Sequence, residues 1–216
     1  MNARLVIFDF DGTLADTRNI ILSTYTSTIE KLGLPTRTTA QLQATIGIPL
    51  QEGFENLYPS LGPSVTENCC ATYRDIFNKN KHNYIPELFP GVTETLETLA
   101  KRGTIMTIAS SRSHDSLIEF CKENGIDHYF SIILGADNVE RAKPDPWPVT
   151  HTLSRLGIPA SDAVVVGDMP FDIKMGMDAA CRTVGVSYGN STVSNLIEAG
   201  ANRVINSISL LPDLEL

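Results

Sequence analysis

The sequence predicts an α/β fold in which a doubly wound parallel sheet carries one inserted all-helical domain. Short apolar runs typical of strands alternate with amphipathic stretches typical of helices, as in doubly wound domains. Most of the strand-like runs are continuously apolar, which is expected when both faces of a parallel sheet are covered. Residues 16–84 contain no convincing strand, and so long a segment rarely lacks structure inside a compact domain.

Six strands and four helices are expected in the sheet region. The strands are predicted at residues 4–9, 104–110, 130–135, 163–168, 182–187 and 203–206. The helices are predicted at residues 93–102, 113–124, 146–156 and 171–180. A glycine just beyond the last turn ends the first three of these helices, because glycine readily adopts the conformation that follows a helix.

The inserted segment, residues 16–84, is predicted to be helical. The spacing of its apolar residues predicts one helix over residues 18–32. Ser64 and Glu67 form a capping-box pattern, which predicts a second helix that runs to about residue 78.

Composition and charge exclude several classes of protein. The chain has 216 residues, of which 42% are hydrophobic and 19% charged, an ordinary globular composition. Its formal net charge of −8 disfavours nucleic-acid binding, which relies on basic patches. The first apolar run, Leu5–Phe8, is too short for a signal peptide or a membrane span. The four cysteines include two sequence neighbours, which suits reduced thiols and a cytoplasmic location better than a disulfide framework.

Acidic and hydroxyl side chains stand at the ends of three predicted strands. The first predicted strand ends at Asp9, with Asp11 two residues on, the second ends at Ser110 and the fourth at Asp168. Lys143 lies in a loop after the third. Because ligands bind beyond the carboxyl ends of the strands in an open parallel sheet, these groups are expected to meet. Crowded carboxylates need a cation, and an all-oxygen set of ligands suits Mg²⁺.

This set of groups is suited to phosphoryl chemistry. A carboxylate in line with phosphorus can act as a nucleophile and form an aspartyl-phosphate. A second carboxylate can protonate the leaving oxygen and then activate water. Asp9 and Asp11 fit this division, and the residues alone leave the two roles interchangeable.

Four motifs occur in order along the chain: DFDGTLADT from Asp9, Ser110, KPDP from Lys143, and GDMPFD from Gly167. Together they resemble the motifs of the haloacid dehalogenase-like (HAD) hydrolase superfamily. Two further segments, PGV at 90–92 and GVSYG at 185–189, are similar to its phosphoglycolate phosphatase-like branch. Four ordered motifs are much more specific than any one of them alone.

The resemblance implies a role for each matched residue. Asp9 would be the nucleophile and a Mg²⁺ ligand, and Asp11 would be the general acid/base with its backbone carbonyl on the metal. Ser110 would hydrogen-bond the phosphoryl oxygens, and Lys143 would neutralise the charge that develops on them. Asp168 would be a further Mg²⁺ ligand.

The remaining candidates have less specific roles. Asp172 would be an outer-shell metal residue, and as the third residue of a helix that begins at Pro170 it could also cap that helix. The candidate substrate-binding residues are Gly12, Thr13, Ser111 and Arg112. Arg112 has the alternative of being an ordinary exposed residue.

The resemblance also implies a division into domains. Residues 1–15 and 85–216 would form a Rossmann-like α/β catalytic core, and residues 16–84 would form a helical C1 cap that closes over the substrate. True dehalogenases lack the second acid of the first motif, so the presence of Asp11 favours phosphatase chemistry. Mutases of this branch usually carry a cap arginine where Leu50 stands and a histidine about where Ile21 stands, so these positions favour hydrolysis.

The expected function is Mg²⁺-dependent hydrolysis of a small phosphate monoester, of the phosphoglycolate type, through an aspartyl-phosphate. The alternatives are a pyrophosphatase, a nucleotide or sugar-phosphate phosphatase, a β-phosphoglucomutase-like mutase and, outside enzymes, a non-catalytic phosphate-binding regulator. The expected partner is a small phosphorylated metabolite, with no nucleic acid and no membrane, and the protein is expected to be a cytoplasmic monomer or homodimer.

Overall fold

A six-stranded sheet forms the centre of the structure. The computed structural model describes residues 3–80 and 86–215. Along these residues the strands are β1 (Leu5–Phe8), β2 (Ala15–Asp16), β3 (Glu87–Leu88), β4 (Ile105–Ala109), β5 (Phe130–Leu134), β6 (Ala163–Gly167), β7 (Arg182–Val186) and β8 (Arg203–Ile205). The sheet has the order β5-β4-β1-β6-β7-β8, and all its neighbouring strands run parallel.

All six predicted strands are present, and each ends one residue before its predicted carboxyl end. Asp9, Ser110 and Asp168 therefore lie immediately beyond β1, β4 and β6. Backbone hydrogen bonds still fix two of these positions, because the amide of Asp9 donates to Val166 and that of Ser110 donates to Leu134. The candidate residues thus stand on a rigid sheet edge.

Helices cover both faces of the sheet. In chain order they are α1 (Arg18–Lys31), α2 (Thr39–Gln43), α3 (Leu50–Leu57), α4 (Pro63–Asn80), α5 (Val92–Lys101), α6 (His114–Glu123), α7 (Trp147–Leu156), α8 (Pro170–Asp178) and α9 (Val193–Glu198). Val6 and Phe8 pack with α5 and α6, whereas Leu5 and Ile7 pack with α7 and α8. This double coverage confirms the doubly wound fold and explains why the strands are continuously apolar.

The four helices predicted in the sheet region are confirmed as α5 to α8, whereas α9 has no counterpart among the predictions. In the insertion, α1 and α4 are confirmed, but α4 begins at Pro63, so Ser64 lies inside the helix and the predicted capping box is wrong. Proline is well suited to a first helical position because the amide it lacks has no intrahelical partner there. Helices α2 and α3 were also missed.

Close packing explains one irregularity of α3. This helix contains Gly53, and glycine is a poor helix former. A Cβ at Gly53 would lie 2.6 Å from the hydroxyl of Tyr25 on α1, so the glycine permits the two helices to approach each other. The Tyr25 ring in turn lies 5.1 Å from Phe54 and 4.9 Å from Tyr73, and these aromatic side chains join α1, α3 and α4.

The insertion is joined to the sheet region by a short antiparallel ribbon that the sequence did not predict. Ala15 pairs with Leu88 and Asp16 pairs with Glu87, so the two connections run side by side. The division at residues 16–84 remains a prediction, and its far boundary falls in residues 81–85, outside the described ranges.

Two smaller observations complete the fold. Four cysteines, Cys69, Cys70, Cys121 and Cys181, are buried free thiols. Within residues 3–80 and 86–215, no helix is both long enough and apolar enough to cross a membrane.

Candidate active site

Three buried carboxylates meet at the carboxyl edge of the sheet. Asp9, Asp168 and Asp172 each place one oxygen within 4.8 Å of the others, and their exposed fractions are 5%, 0% and 2%. The ammonium of Lys143 lies among them and donates to Asp9 Oδ1 and to Asp172 Oδ1 at 2.6 Å each. One ammonium therefore bonds two of three carboxylates that are clustered and buried.

Burial changes the acidity of this cluster. It raises the pKa of Asp9 to about 7, and the adjacent Lys143 opposes the rise. Burial also raises the pKa of Asp168 well above its ordinary value, and the negative charges of Asp9 and Asp172 add to the effect. Burial disfavours the charge of Lys143, but the carboxylates of Asp172 and Asp9 outweigh burial and raise its pKa. The cluster has an excess of negative charge that a cation would relieve.

Asp168 is held on one side and open on the other. Its Oδ2 accepts hydrogen bonds from the backbone amide and the side-chain Nδ2 of Asn190, at 2.6 and 2.9 Å. Its Oδ1 is buried and finds no hydrogen-bond partner among the described residues. An unpartnered buried carboxylate oxygen is costly, so this atom fits a cation ligand.

Two glycines make room for the Asp168 carboxylate. A Cβ on Gly12 would lie 2.2 Å from Asp168 Oδ2, and one on Gly189 would lie 2.3 Å from Asp168 Cβ. Gly12 also has a φ of +86°, which residues with side chains rarely adopt. The three clustered side chains are all carboxylates, a donor set that would suit Mg²⁺ and other hard divalent cations.

Asp172 serves two neighbours at once. Its Oδ2 accepts from the backbone amide of Met169 at 3.0 Å, which caps the start of α8, and its Oδ1 accepts from Lys143. The helix begins at Pro170, as the sequence predicts. The capping interaction and the position beside the cluster therefore occur together, and both oxygens of Asp172 are already engaged.

The carboxylate of Asp11 lies apart from this cluster and pairs with Arg112. The Nη2 of Arg112 approaches Asp11 Oδ1 at 2.5 Å, and its Nε lies 3.1 Å from Oδ2. The Arg112 side chain is only 7% exposed, so the alternative of an ordinary exposed residue is wrong. The carboxylate of Asp11 is therefore not one of the clustered groups, and the metal role of its backbone carbonyl stays a prediction from the resemblance.

The remaining predicted residues fall into two groups. Ser111 and Arg112 line a cavity next to the cluster, but the hydroxyl of Ser111 donates to the carbonyl of Gly47 in the insertion at 2.7 Å. Gly12 and Thr13 instead lie behind the cluster, where the Thr13 hydroxyl donates to Asp9 Oδ2 at 3.3 Å. The amides of Gly12 and Thr13 are used by the turn itself. Ser110 also lines the cavity, and its hydroxyl accepts from the backbone amide of Arg112.

The cavity lies between the sheet edge and the insertion and has a volume of about 630 Å³. Asp9 and Asp11 line its sheet side, and the insertion contributes mainly apolar and aromatic side chains, including Ile21, Leu50 and Phe77. A cavity of this size accommodates a small molecule. Ile21 and Leu50 occupy the two positions where mutases of this branch usually carry a histidine and an arginine. Both line the cavity, so these positions present apolar groups to it.

Sequence reasoning missed several residues that build the site. Asn190 anchors Asp168, and Arg18 on α1 donates from Nε to Asn190 Oδ1 at 2.9 Å. Asn190 follows the carboxyl end of β7, so the strand-end rule could have identified it. Phe77 and Arg74 face the cavity from α4, and a helical pattern alone does not indicate which helix faces a site.

Comparisons with known proteins agree with this architecture. A family model described as haloacid dehalogenase-like hydrolase matches residues 6–186. The chain is 32% identical over 209 residues to "Probable phosphatase IndB" of Dickeya dadantii, covering 95% of this chain and 90% of that protein. It is 32% identical over 214 residues to pyrophosphatase PpaX of Halalkalibacterium halodurans, covering 99% and 96%.

A solved structure supports the same assignment. The fold matches a Bacteroides fragilis protein described as a haloacid dehalogenase-like hydrolase with a TM-score of 0.88 and 27% identity, covering 97% of this chain and 99% of that one. The ordered motifs, the parallel sheet and the match along most of the chain all lead to one conclusion. The chain is an enzyme, a phosphatase that belongs to the haloacid dehalogenase-like hydrolase family.

Proposed function

We propose that the protein hydrolyses a small phosphate monoester with Mg²⁺, through an aspartyl-phosphate on Asp9. The observation that carries the proposal is the buried cluster of Asp9, Asp168, Asp172 and Lys143, of which Asp9 lines the cavity. The unpartnered Asp168 Oδ1 supports a cation at this place. Bound Mg²⁺ would offset the carboxylate charges and polarise a phosphoryl oxygen.

The residues divide the chemistry between them. In the first half-reaction, a carboxylate oxygen of Asp9 forms a bond to phosphorus while the bond from phosphorus to the leaving oxygen breaks. Asp11 gives a proton to that leaving oxygen. Lys143, already hydrogen-bonded to Asp9, and the hydroxyl of Ser110 stabilise the negative charge of the phosphoryl oxygens.

The second half-reaction releases phosphate. Asp11, now ionised, takes a proton from water, and the water oxygen attacks phosphorus. The bond from phosphorus to Asp9 then breaks and restores the carboxylate. Side chains of the insertion line the cavity, and in this proposal they limit access of other water to the intermediate.

The proposed substrate is a compact ester of the phosphoglycolate type. The cavity of about 630 Å³ suits a small metabolite. A mutase must also bind the second phosphate of a sugar bisphosphate. Ile21 and Leu50 offer no charge to such a group, which favours hydrolysis over mutase activity. Pyrophosphate is a second candidate, because two arginines, Arg74 and Arg112, line the cavity beside the acidic cluster.

Phosphate release from small esters and pyrophosphate, with Mg²⁺ and with EDTA, tests the proposal. We expect metal-dependent release that Asp9→Asn abolishes, because an amide is a poor nucleophile and a poor metal ligand. Asp178→Asn makes the same change on the exposed side of α8 and should leave release unchanged. Release that persists in Asp9→Asn would contradict the covalent mechanism. No release from any compound would favour a mutase or a binding protein.

A further inference from the structure

The guanidinium of Arg112 is held in a fixed orientation that suits binding of a carboxylate. Its Nε and Nη2 both face the carboxylate of Asp11, while its Nη1 donates to the hydroxyl of Ser116 at 3.1 Å. Its guanidinium lies 4.7 Å from the ring centre of Phe120 and 5.1 Å from that of Phe77. Hydrogen bonds and aromatic rings therefore fix the plane and the direction of the guanidinium.

The present occupant of this receptor is the residue proposed to act as the general acid/base. Both oxygens of Asp11 accept hydrogen bonds from Arg112, and the two side chains are 12% and 7% exposed. A carboxylate engaged on both oxygens is not free to serve a leaving group. The pair is also largely removed from water, so separating it without a replacement for either partner is costly.

We propose that Arg112 binds a second anionic group on the leaving part of the substrate and releases Asp11 in exchange. This inference rests on the proposed function and names its substrate class: phosphoryl compounds whose leaving group carries a carboxylate or a phosphate. Such a group replaces Asp11 on the same guanidinium, so the cation stays paired throughout. Asp11 leaves the pair as a carboxylate and takes up a proton from solvent, which it then gives to the leaving oxygen. A neutral leaving group offers no such replacement and leaves Asp11 in place.

Other features of the cavity agree with this exchange. Its sheet side presents the acids Asp9 and Asp11, so an anionic substrate needs a cation close by. Among the described residues that line the cavity, the cations are Arg74 and Arg112. Arg74 is exposed on α4, whereas the Arg112 side chain is buried and directed by its partners. Arg112 also packs against Phe77 of the insertion, so the anion would bind where insertion and sheet region meet.

Three substrates distinguish the possible anions: phosphoglycolate carries a carboxylate, pyrophosphate carries a phosphate, and 2-hydroxyethyl phosphate has a neutral leaving group. We expect kcat/KM of the wild-type enzyme to be about 100-fold higher for at least one anionic substrate than for the neutral one, as for charge-assisted recognition. Whichever anionic substrate is preferred identifies the natural anion. A ratio near one would overturn the inference while leaving the proposed function intact. Absence of Asp9-dependent release with all three would overturn the proposed function and this inference with it.

Arg112→Gln is the decisive variant. We expect it to lower kcat/KM for the preferred anionic substrate more than for 2-hydroxyethyl phosphate, which brings the ratio between the two to within about five-fold. Arg112→Lys keeps the positive charge but loses the paired N–H donors of the guanidinium. Its anionic-to-neutral ratio of kcat/KM should lie between those of the wild type and Arg112→Gln. Equal losses on both kinds of substrate would show a merely structural role and overturn the inference. A larger fall of the ratio in Arg74→Gln would do the same.

A binding measurement covers the case in which Arg112→Gln does not fold. In Asp9→Asn, which should bind substrate without turnover, phosphoglycolate or pyrophosphate should raise the thermal unfolding temperature more than 2-hydroxyethyl phosphate does. Adding Arg112→Lys should shrink that difference. An undiminished difference would overturn the inference.

Discussion

The surroundings of Asp9 conflict with the charge that its proposed role requires. The proposed nucleophilic role requires a deprotonated Asp9, yet this residue is 5% exposed and lies near two other buried carboxylates. Lys143 resolves part of the conflict through a hydrogen bond at 2.6 Å. The negative charge that Lys143 does not balance favours a bound cation, and the unpartnered Oδ1 of Asp168 would be a ligand for it. The same groups that enable the proposed reaction therefore make the metal-free protein less stable.

This conflict predicts how stability depends on pH and metal. Burial raises the pKa of Asp9 from 3.8 to about 7 in the folded protein, so its charge is more costly folded than unfolded. The free energy of unfolding of the metal-free protein should therefore fall as the pH rises from about 4 to about 7, and stay low above that. Thermal unfolding in EDTA across this range measures the effect.

Asp9→Asn supplies the comparison for this prediction. The variant lacks the titrating group, so its unfolding temperature at pH 7 in EDTA should exceed that of the wild type by several degrees, and the two should converge near pH 4. Mg²⁺ should stabilise the wild type more than the variant. Parallel pH profiles for the two proteins would show that Asp9 is not the group responsible.

At the scale of elements, the turn after β1 and the start of α8 shape the site together. The turn uses Gly12, whose φ of +86° and missing Cβ allow Asp168 to approach. The start of α8 uses Asp172, which caps the helix and orients Lys143. Each segment therefore has two roles: it forms a turn or starts a helix, and it shapes the carboxylate cluster. The first role alone does not indicate the second.

Gly12→Ala should damage the site more than the fold. The new Cβ would lie 2.2 Å from Asp168 Oδ2, so the carboxylate must move and metal binding should weaken along with phosphatase activity. Gly33→Ala is the matched control, because Gly33 has a φ of +62° but nothing within 4 Å. Both variants should lose about 1 kcal/mol of stability from backbone strain. Mg²⁺ titrations followed by thermal unfolding should separate them, and equal Mg²⁺ responses would contradict the prediction.

At the scale of the whole molecule, the insertion and the sheet region share one apolar cluster. Phe77 on α4 lies 6.2 Å from Phe120 on α6 between ring centres, and Ser111 donates to Gly47 across the same boundary. Residues of the insertion such as Tyr25 and Phe54 belong to the same apolar cluster as Val6 and Phe8 of β1. The two parts therefore stabilise each other and enclose the cavity between them.

Phe77→Ala tests this coupling. Phe77 is 8% exposed, and removing its ring should lower the free energy of unfolding by about 3–5 kcal/mol. It should also lower kcat/KM, because the ring lies over Arg112 at the wall of the cavity. Val65→Ala removes an exposed apolar side chain from the same helix and should leave stability and activity nearly unchanged. If Phe77→Ala retained wild-type stability, the insertion would not depend on this contact.

Local sequence patterns are sufficient to predict the sheet and the order of the chemical groups along its edge. A continuously apolar strand such as β6 can only be buried on both faces, so its pattern predicts a parallel sheet with little ambiguity. Asp9, Ser110 and Asp168 directly follow such strands, and the carboxyl ends of parallel strands share one edge. These positions follow from local patterns and from a general rule of topology.

Which of these groups pair with each other depends on the folded arrangement of the chain. Nothing local to Arg112 indicates that it meets Asp11, which lies 101 residues away in the chain. The unpartnered oxygen of Asp168 likewise depends on where Asn190 approaches it. Short elements such as α2 and α9 were missed because their few residues carry weak periodicity, and their formation depends on packing. Pairing across the fold is a property of three-dimensional proximity, so a linear pattern does not contain it.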